Sequence, residues 1–184
     1  MCSAHINTTV GKVYGKPRTL WVTQKYTPLH IRMLLAKSFL LPTLFYGCEI
    51  YASCESTDKY KLNKLFNTIT RYVFCLRKYD HVSNFSVKLF SMSFDDLLKY
   101  KVLLFLQKII VNKEPFYLSN KLKFLSSMRF TNIQSIRCNY LVSERQFFVF
   151  AIRLWNLLPP YLTLIKTSVH FKSKLFEFMS TNNV

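Results

Sequence analysis

Glycine is nearly absent from this chain: Gly11, Gly15 and Gly47 are the three in 184 residues, with none after position 47. Tight hairpins need backbone at positive φ, and phosphate-cradling loops need backbone without a Cβ, so the sequence argues against both over most of its length. Acid is scarce as well. Nine Asp and Glu stand against 26 Lys and Arg, with none before Glu49 and none between Glu114 and Glu144. The four histidines, His5, His30, His81 and His170, are scattered and none sits at metal-ligand spacing from another, so neither a metal site nor acid-base catalysis is expected. Five cysteines (Cys2, Cys48, Cys54, Cys75, Cys138) make an odd count without paired spacing, which suits a reducing compartment, nuclear or cytoplasmic, better than a disulfide framework. The opening MCSAHINTTVGK has no charged leader and no apolar run, so no signal peptide is expected. Residues 34 to 52 approach membrane length, but Lys37, Pro42 and Glu49 interrupt them and favour a core helix.

What is present is apolar residue and positive charge. Half the residues are hydrophobic, enough for one core or two small helical modules. The net charge of +17 repels itself unless an acidic partner neutralises it. Nucleic acid is the leading partner, an anionic membrane surface the second, and a merely solvated basic surface the third. There is no basic tail: residues 1 to 92 carry 13 basic and 4 acidic groups, and residues 93 to 184 carry 13 and 5.

The fold class expected is mostly α: a three-helix, thumb-like bundle over residues 28–92 and a second small helical module over 93–184, after a poorly ordered lead-in over 1–27. The lead-in is polar and holds Gly11, Gly15 and Pro17, with Leu20 and Trp21 as docking points. Thr27-Pro28 reads as a helix start, Thr capping and Pro in the first turn. The helix LHIRMLLAKSFLL would turn Ile31, Leu34, Leu35 and Phe39 inward, and Pro42 should kink or end it. TLFYGCEIY then continues as helix or extended chain. Phe85–Phe90 reads as a short helix burying Val87, Leu89 and Phe90. Ser93-Phe-Asp-Asp96 has the pattern of a capping box, followed by a helix burying Leu97, Leu98, Leu104, Phe105 and Ile109 and stopping before Pro115. Residues 119–143 read as a long loop or paired short strands. A helix from Ser143 carries Phe147, Phe148, Phe150, Ile152 and Trp155 to Pro159-Pro160, and a last one, capped by Ser168, turns Phe171, Leu175 and Phe178 inward.

The stretch Asp58–Lys78, DKYKLNKLFNTITRYVFCLRK, carries the sharpest functional signal. On a helical wheel Leu62, Leu65, Phe66, Ile69, Tyr72, Val73 and Leu76 fall within one third of the circle. Lys64, Arg71 and Lys78 recur every seven residues, with Lys61 three before the first, on the opposite face. A helix clamped by the first face can lay the second along a phosphate backbone. The alternative is a solvated helix face, although a surface kept only for solubility interleaves Glu with Lys and this one does not. A second basic cluster, Lys121, Lys123, Arg129, Arg137 and Arg145, is diluted by apolar residues.

Paired aspartates behind an aromatic can hold catalytic metal ions at a strand turn, and Asp95-Asp96 invites that test. Ser93 occupies the aromatic position, and the other aspartates, Asp58 and Asp80, lie at a helix end and in a loop. Capping is the better reading, and no catalytic residue, cofactor or metal is expected.

Four segments resemble a known family in order and spacing. Arg153-Leu-Trp155-Asn156-Leu-Leu-Pro159, followed by Ser168 and Phe171-Lys-Ser-Lys-Leu175, resembles the "R-x-W-N-x-L-P … S … F-K-x-x-L" ending of reverse transcriptases from non-LTR (LINE-like) retrotransposons. Leu41-Pro42-Thr-Leu-Phe-Tyr46-Gly47-Cys-Glu-Ile-Tyr51 is similar to their "L-P-x-L-x-Y-G-x-x-x-W" segment at the start of the thumb, with Tyr51 where Trp is usual. Arg71–Arg77, then Tyr79-Asp80-His81-Val82, resembles the next thumb helix and its exit loop, and Pro115-Phe-Tyr117-Leu118 resembles the "P-x-Y-L" turn beyond it. The matches cover about residues 28 to 176. The resemblance implies that 28–92 is a thumb gripping a template-primer duplex and that the rest is the C-terminal region of such a polyprotein, with fingers, palm and every catalytic carboxylate missing. The function expected is therefore backbone binding of RNA or an RNA/DNA duplex without base readout and without polymerase activity. A helical protein-interaction module, self-associating through apolar surface left uncovered, and a relic without function are the alternatives.

Overall fold

The helix α6, Ser56–Phe74, anchors the first half of the protein. Leu62, Leu65, Phe66, Ile69, Tyr72 and Val73 are all buried along it, as the wheel predicts. Burial of a large apolar side chain is worth about 1.5–3 kcal/mol, so this stripe dominates the local stability. The computed structural model describes residues 2–15, 17–54, 56–125, 132–136 and 146–181. They are mostly helical and fall into two units, Met1–Phe94 and Asp95–Val184.

In the first unit α6 packs against α1 (Cys2–Gly15), α3 (Leu29–Leu35) and α7 (Ser83–Phe90). Helix α1 corrects the expectation of a poorly ordered lead-in. Ile6, Thr9 and Val13 recur at helical spacing and are buried, so tertiary packing overrides the poor propensity of the glycine- and threonine-rich sequence. A second helix, α2 (Pro17–Thr23), and a 3₁₀ turn at Gln24–Tyr26 complete this segment.

Thr27 does not cap α3. Its hydroxyl donates to the Thr23 carbonyl at 2.8 Å, and Pro28 takes the cap position without a side-chain bond. Pro42 does not break the rod either. A π turn at Ala36–Leu40 leads straight into α4, Leu41–Leu44, and the Thr43 hydroxyl donates to the Phe39 carbonyl at 2.9 Å. The wider turn accommodates the missing proline N–H, a usual origin of such bulges. Ala36, Leu40, Leu41 and Leu44 are the residues buried, while Leu34 and Phe39, expected inward, are 62% and 57% exposed. Leu34 lies two residues, or about 200°, from Ala36 and so faces the other way. Gly47, at φ 69°, turns the chain from α4 into α5, Cys48–Tyr51. In α7 Leu89 is buried and the Phe90 ring lies tilted against Phe66 with centroids 4.7 Å apart, but Val87 points outward and Ser86 is buried in its place.

The second unit is built on α8, Phe94–Asn112, which is apolar on nearly every face. Leu97, Leu98, Val102, Leu103, Leu106 and Ile109 are buried, whereas Leu104 and Phe105 are half-buried. Ser93 stands immediately before it, with Asp95 and Asp96 in the first turn and Lys99 donating to Asp96 Oδ1 at 2.9 Å. After α9 (Phe116–Ser119), an isolated antiparallel bridge pairs Phe124 with Ile133, and among the described residues there is no longer strand. Three further helices follow: α10 (Phe147–Asn156), α11 (Pro160–Thr163) and α12 (Ser168–Thr181). The Phe147, Phe148 and Phe150 rings are half-buried, and Val149, Ala151, Ile152 and Trp155 form the buried face of α10. Ser168 opens α12, and its hydroxyl donates to Gln107 Oε1 at 3.0 Å. Ser143 lies outside the described residues.

Candidate nucleic-acid interface

The four cations read from the α6 wheel do not form one even row. Lys64 is exposed and has no ion pair among the described residues. Lys61 is exposed too, but its ammonium lies 3.2 Å from Asp58 Oδ1, whose side chain is only 7% exposed, so this cation is largely neutralised. Arg71 is half-buried, and its Nη2 donates to the Asp80 carbonyl at 3.4 Å. Lys78 is off the helix. Cys75, at φ 55°, ends α6 in the left-handed conformation, and the Leu76 N–H closes on the Arg71 carbonyl at 3.1 Å, which is the Schellman pattern. Three residues beyond, the Lys78 ammonium lies 5.6 Å from the Tyr79 ring centroid. Leu76, expected on the buried stripe, leaves it at the same turn and is half-buried.

Lys61 apart, carboxylates do little to offset these groups. Asp58 is buried, and the Asp80 carboxylate accepts the Arg77 N–H at 2.7 Å inside its own turn. The acid-poor surface thus runs from Lys64 past Arg71 to Arg77 and Lys78.

Sequence reasoning missed two residues that shape this end of α6. Gln24 Nε2 donates to the Tyr72 carbonyl at 2.7 Å and to the Arg71 carbonyl at 3.4 Å, which supplies terminal carbonyls of the helix with donors. Arg32 Nη1 donates to Cys75 Sγ. Gln24 comes from the 3₁₀ turn before α3 and Arg32 from α3 itself, each more than 40 positions away in sequence, and no local pattern signals them. Burial raises the Tyr72 phenol pKa, and the Arg32 guanidinium partly offsets that rise.

The motif residues behave as structural parts. Tyr46 is exposed and Gly47 supplies the turn; the Tyr51 hydroxyl, buried, donates to the Leu44 carbonyl. Pro115 caps α9, Tyr117 is exposed and Leu118 half-buried. Trp155 is buried and stacks on Phe171 at 5.8 Å. Asn156 grips Ile133 twice, accepting its N–H at 3.0 Å and donating to its carbonyl at 2.8 Å. Pro159 stands at the cap of α11, and Arg153 is exposed on α10.

Of the second basic cluster, Lys121 and Lys123 line an open hollow of about 370 Å³ with Gln134, Ser135 and Ile136. Arg129, Arg137 and Arg145 lie outside the described residues. Among the described residues no three His, Cys, Asp or Glu side chains gather where they could hold a metal ion, and no helix is long and apolar enough to cross a membrane. Set against protein-family models, curated proteins and solved structures, the chain matches none.

Proposed function

We propose that this chain is a segment of a non-LTR retrotransposon reverse transcriptase that grips RNA or an RNA/DNA duplex by its phosphates and, by itself, copies nothing. The observation that carries this reading is the acid-poor outer surface of α6 and its exit turn. Lys64, Arg71, Arg77 and Lys78 are offered there, while Asp58 is buried and Asp80 is engaged within its turn. Backbone contacts of this kind give affinity and register without sequence preference.

The reading is tested by the salt dependence of duplex binding. With these four cations each neutralising one phosphate, affinity should fall with salt on a log-log slope of about 3 to 4, and Lys64→Ala should lower that slope by about 0.9. Fluorescence anisotropy on an RNA/DNA duplex between roughly 50 and 200 mM salt measures both. A slope near zero overturns the reading.

Leu34 and Phe39 favour a second reading, a helical interaction module. Together with Tyr26, 88% exposed, and Tyr46, 73% exposed, they leave large apolar side chains uncovered along the α3–α4 rod and its flanks. Self-association without nucleic acid, combined with salt-insensitive duplex binding, would favour it over the first.

A further inference from the structure

Two backbone bonds fix the register of the short ribbon around Phe124 and Ile133. The Leu125 N–H donates to the Asn132 carbonyl at 2.9 Å, and the Gln134 N–H donates to the Lys123 carbonyl at 2.8 Å. Lys123 therefore stands opposite Gln134, and two residues further out Lys121 stands opposite Ile136. Side chains alternate between the faces of such a ribbon. Leu122 and Ile133 are buried on one face, while Lys121, Lys123, Gln134 and Ile136, all exposed, share the other. Those four, with Ser135, line the hollow of about 370 Å³. Helix α10 holds the ribbon in place. Asn156 at its end pairs with both backbone groups of Ile133, and the Lys121 ammonium lies 5.9 Å from the centroid of the Phe148 ring at its start.

We propose that this hollow seats one nucleotide of a single-stranded polynucleotide, with Lys121 and Lys123 on its flanking phosphates and Gln134, Ser135 and Ile136 against its sugar and base. The two ammonium groups have no acid beside them in the chain, since no Asp or Glu occurs between Glu114 and Glu144. The amide and the hydroxyl each offer a donor and an acceptor, which suits a ribose hydroxyl or a base edge better than a bare anion, whose oxygens only accept. Ile136, 43% exposed, adds an apolar wall. A volume near the lower limit of ligand pockets has room for one nucleotide and not for several. A duplex keeps its base edges paired inside a convex cylinder, whereas a single strand can turn one nucleotide into a concave surface.

The hollow shares a class of ligand with the α6 surface but none of its residues, so a short single-stranded RNA and an RNA/DNA duplex, each followed by anisotropy with the full chain, separate the two. Lys121→Gln combined with Lys123→Gln should lower the single-strand salt slope by about 1.4, at roughly 0.7 per phosphate, and leave the duplex slope where it was. Gln134→Ala keeps the N–H that pairs with Lys123 and should weaken single-strand binding about fivefold without moving the slope, the effect of one hydrogen bond. Lys108→Gln combined with Lys113→Gln removes two cations of the same unit that do not line the hollow, and should leave both ligands unchanged. All five side chains are exposed, so the fold is not at stake. Equal losses from the two lysine pairs would mean diffuse charge and would overturn the site. A single strand indifferent to Gln134→Ala overturns it as well. Single-strand binding that responds to these variants while the duplex is ignored leaves the hollow standing and overturns the α6 grip, and duplex binding without any single-strand response does the reverse.

Discussion

Asn156 acts as a piece of backbone. Its side-chain amide presents to Ile133 the donor and acceptor that a neighbouring strand would present, at 3.0 and 2.8 Å. It thereby holds the loop segment next to α10, whose core is Trp155 stacked on Phe171. Each hydrogen bond of this kind contributes about 0.5–1.5 kcal/mol, so Asn156→Ala should cost the second unit about 2 kcal/mol in urea unfolding. Asn156→Asp keeps the acceptor but sets a carboxylate against the Ile133 carbonyl, and should be no better. A loss below the error of the measurement would mean that the pairing is ornamental. Trp155, Asn156 and Phe171 each stand where packing or pairing admits few other side chains, which makes such positions legible in sequence, whereas a surface of interchangeable lysines is not.

Scarcity of glycine shapes the elements. Among the described residues three helices end on a residue in the left-handed conformation, and none of the three is glycine: Cys75 at φ 55° after α6, Ser91 at φ 61° after α7, and Lys113 at φ 57° after α8. A side chain with a Cβ pays about 1–2 kcal/mol for that conformation. Lys113 is exposed, and its amide already closes on the Ile109 carbonyl at 3.0 Å, so nothing but the strain depends on the side chain. Lys113→Gly should therefore stabilise the protein by about 1 kcal/mol and raise its melting temperature. The same scarcity explains what sequence reading could and could not reach. The apolar stripe of α6 was legible because Leu62 through Val73 repeat at helical spacing, but its end was not, because no glycine announces the turn at Cys75 and the sequence period runs on to Lys78 although the helix does not. Helix α1 was hidden for the opposite reason: glycines that mark a break in most chains lie there in open space, and Gly11 and Gly15 have nothing near the position of an added Cβ. The π turn before Pro42 rotates the faces of the rod, so Leu34 and Phe39 could not be placed from a regular period.

At the scale of the whole molecule, two opposed effects set the response to pH. A net charge of +17 repels itself, and that repulsion eases as lysines lose protons near pH 10. Buried phenols act the other way. Burial raises the pKa of Tyr51 and Tyr72 in the first unit and Tyr100 in the second above the ordinary 10.0, with Cys48 and Glu49 adding to the rise at Tyr51. Above pH 10 the unfolded chain releases these protons while the folded chain keeps them, so the unfolded state binds fewer protons and stability falls as pH rises. The phenols should win, because each must be charged inside the core or exposed, whereas surface lysines are screened at ordinary salt. Urea unfolding should give stability that is flat from pH 7 to about 9 and declines beyond pH 10, close to the unfolded phenol value. Tyr51→Phe separates the terms: it removes the bond to the Leu44 carbonyl and should cost about 1–3 kcal/mol at pH 7, yet decline less steeply above pH 10. A variant that keeps the parental slope would show that the alkaline loss comes from elsewhere than this phenol.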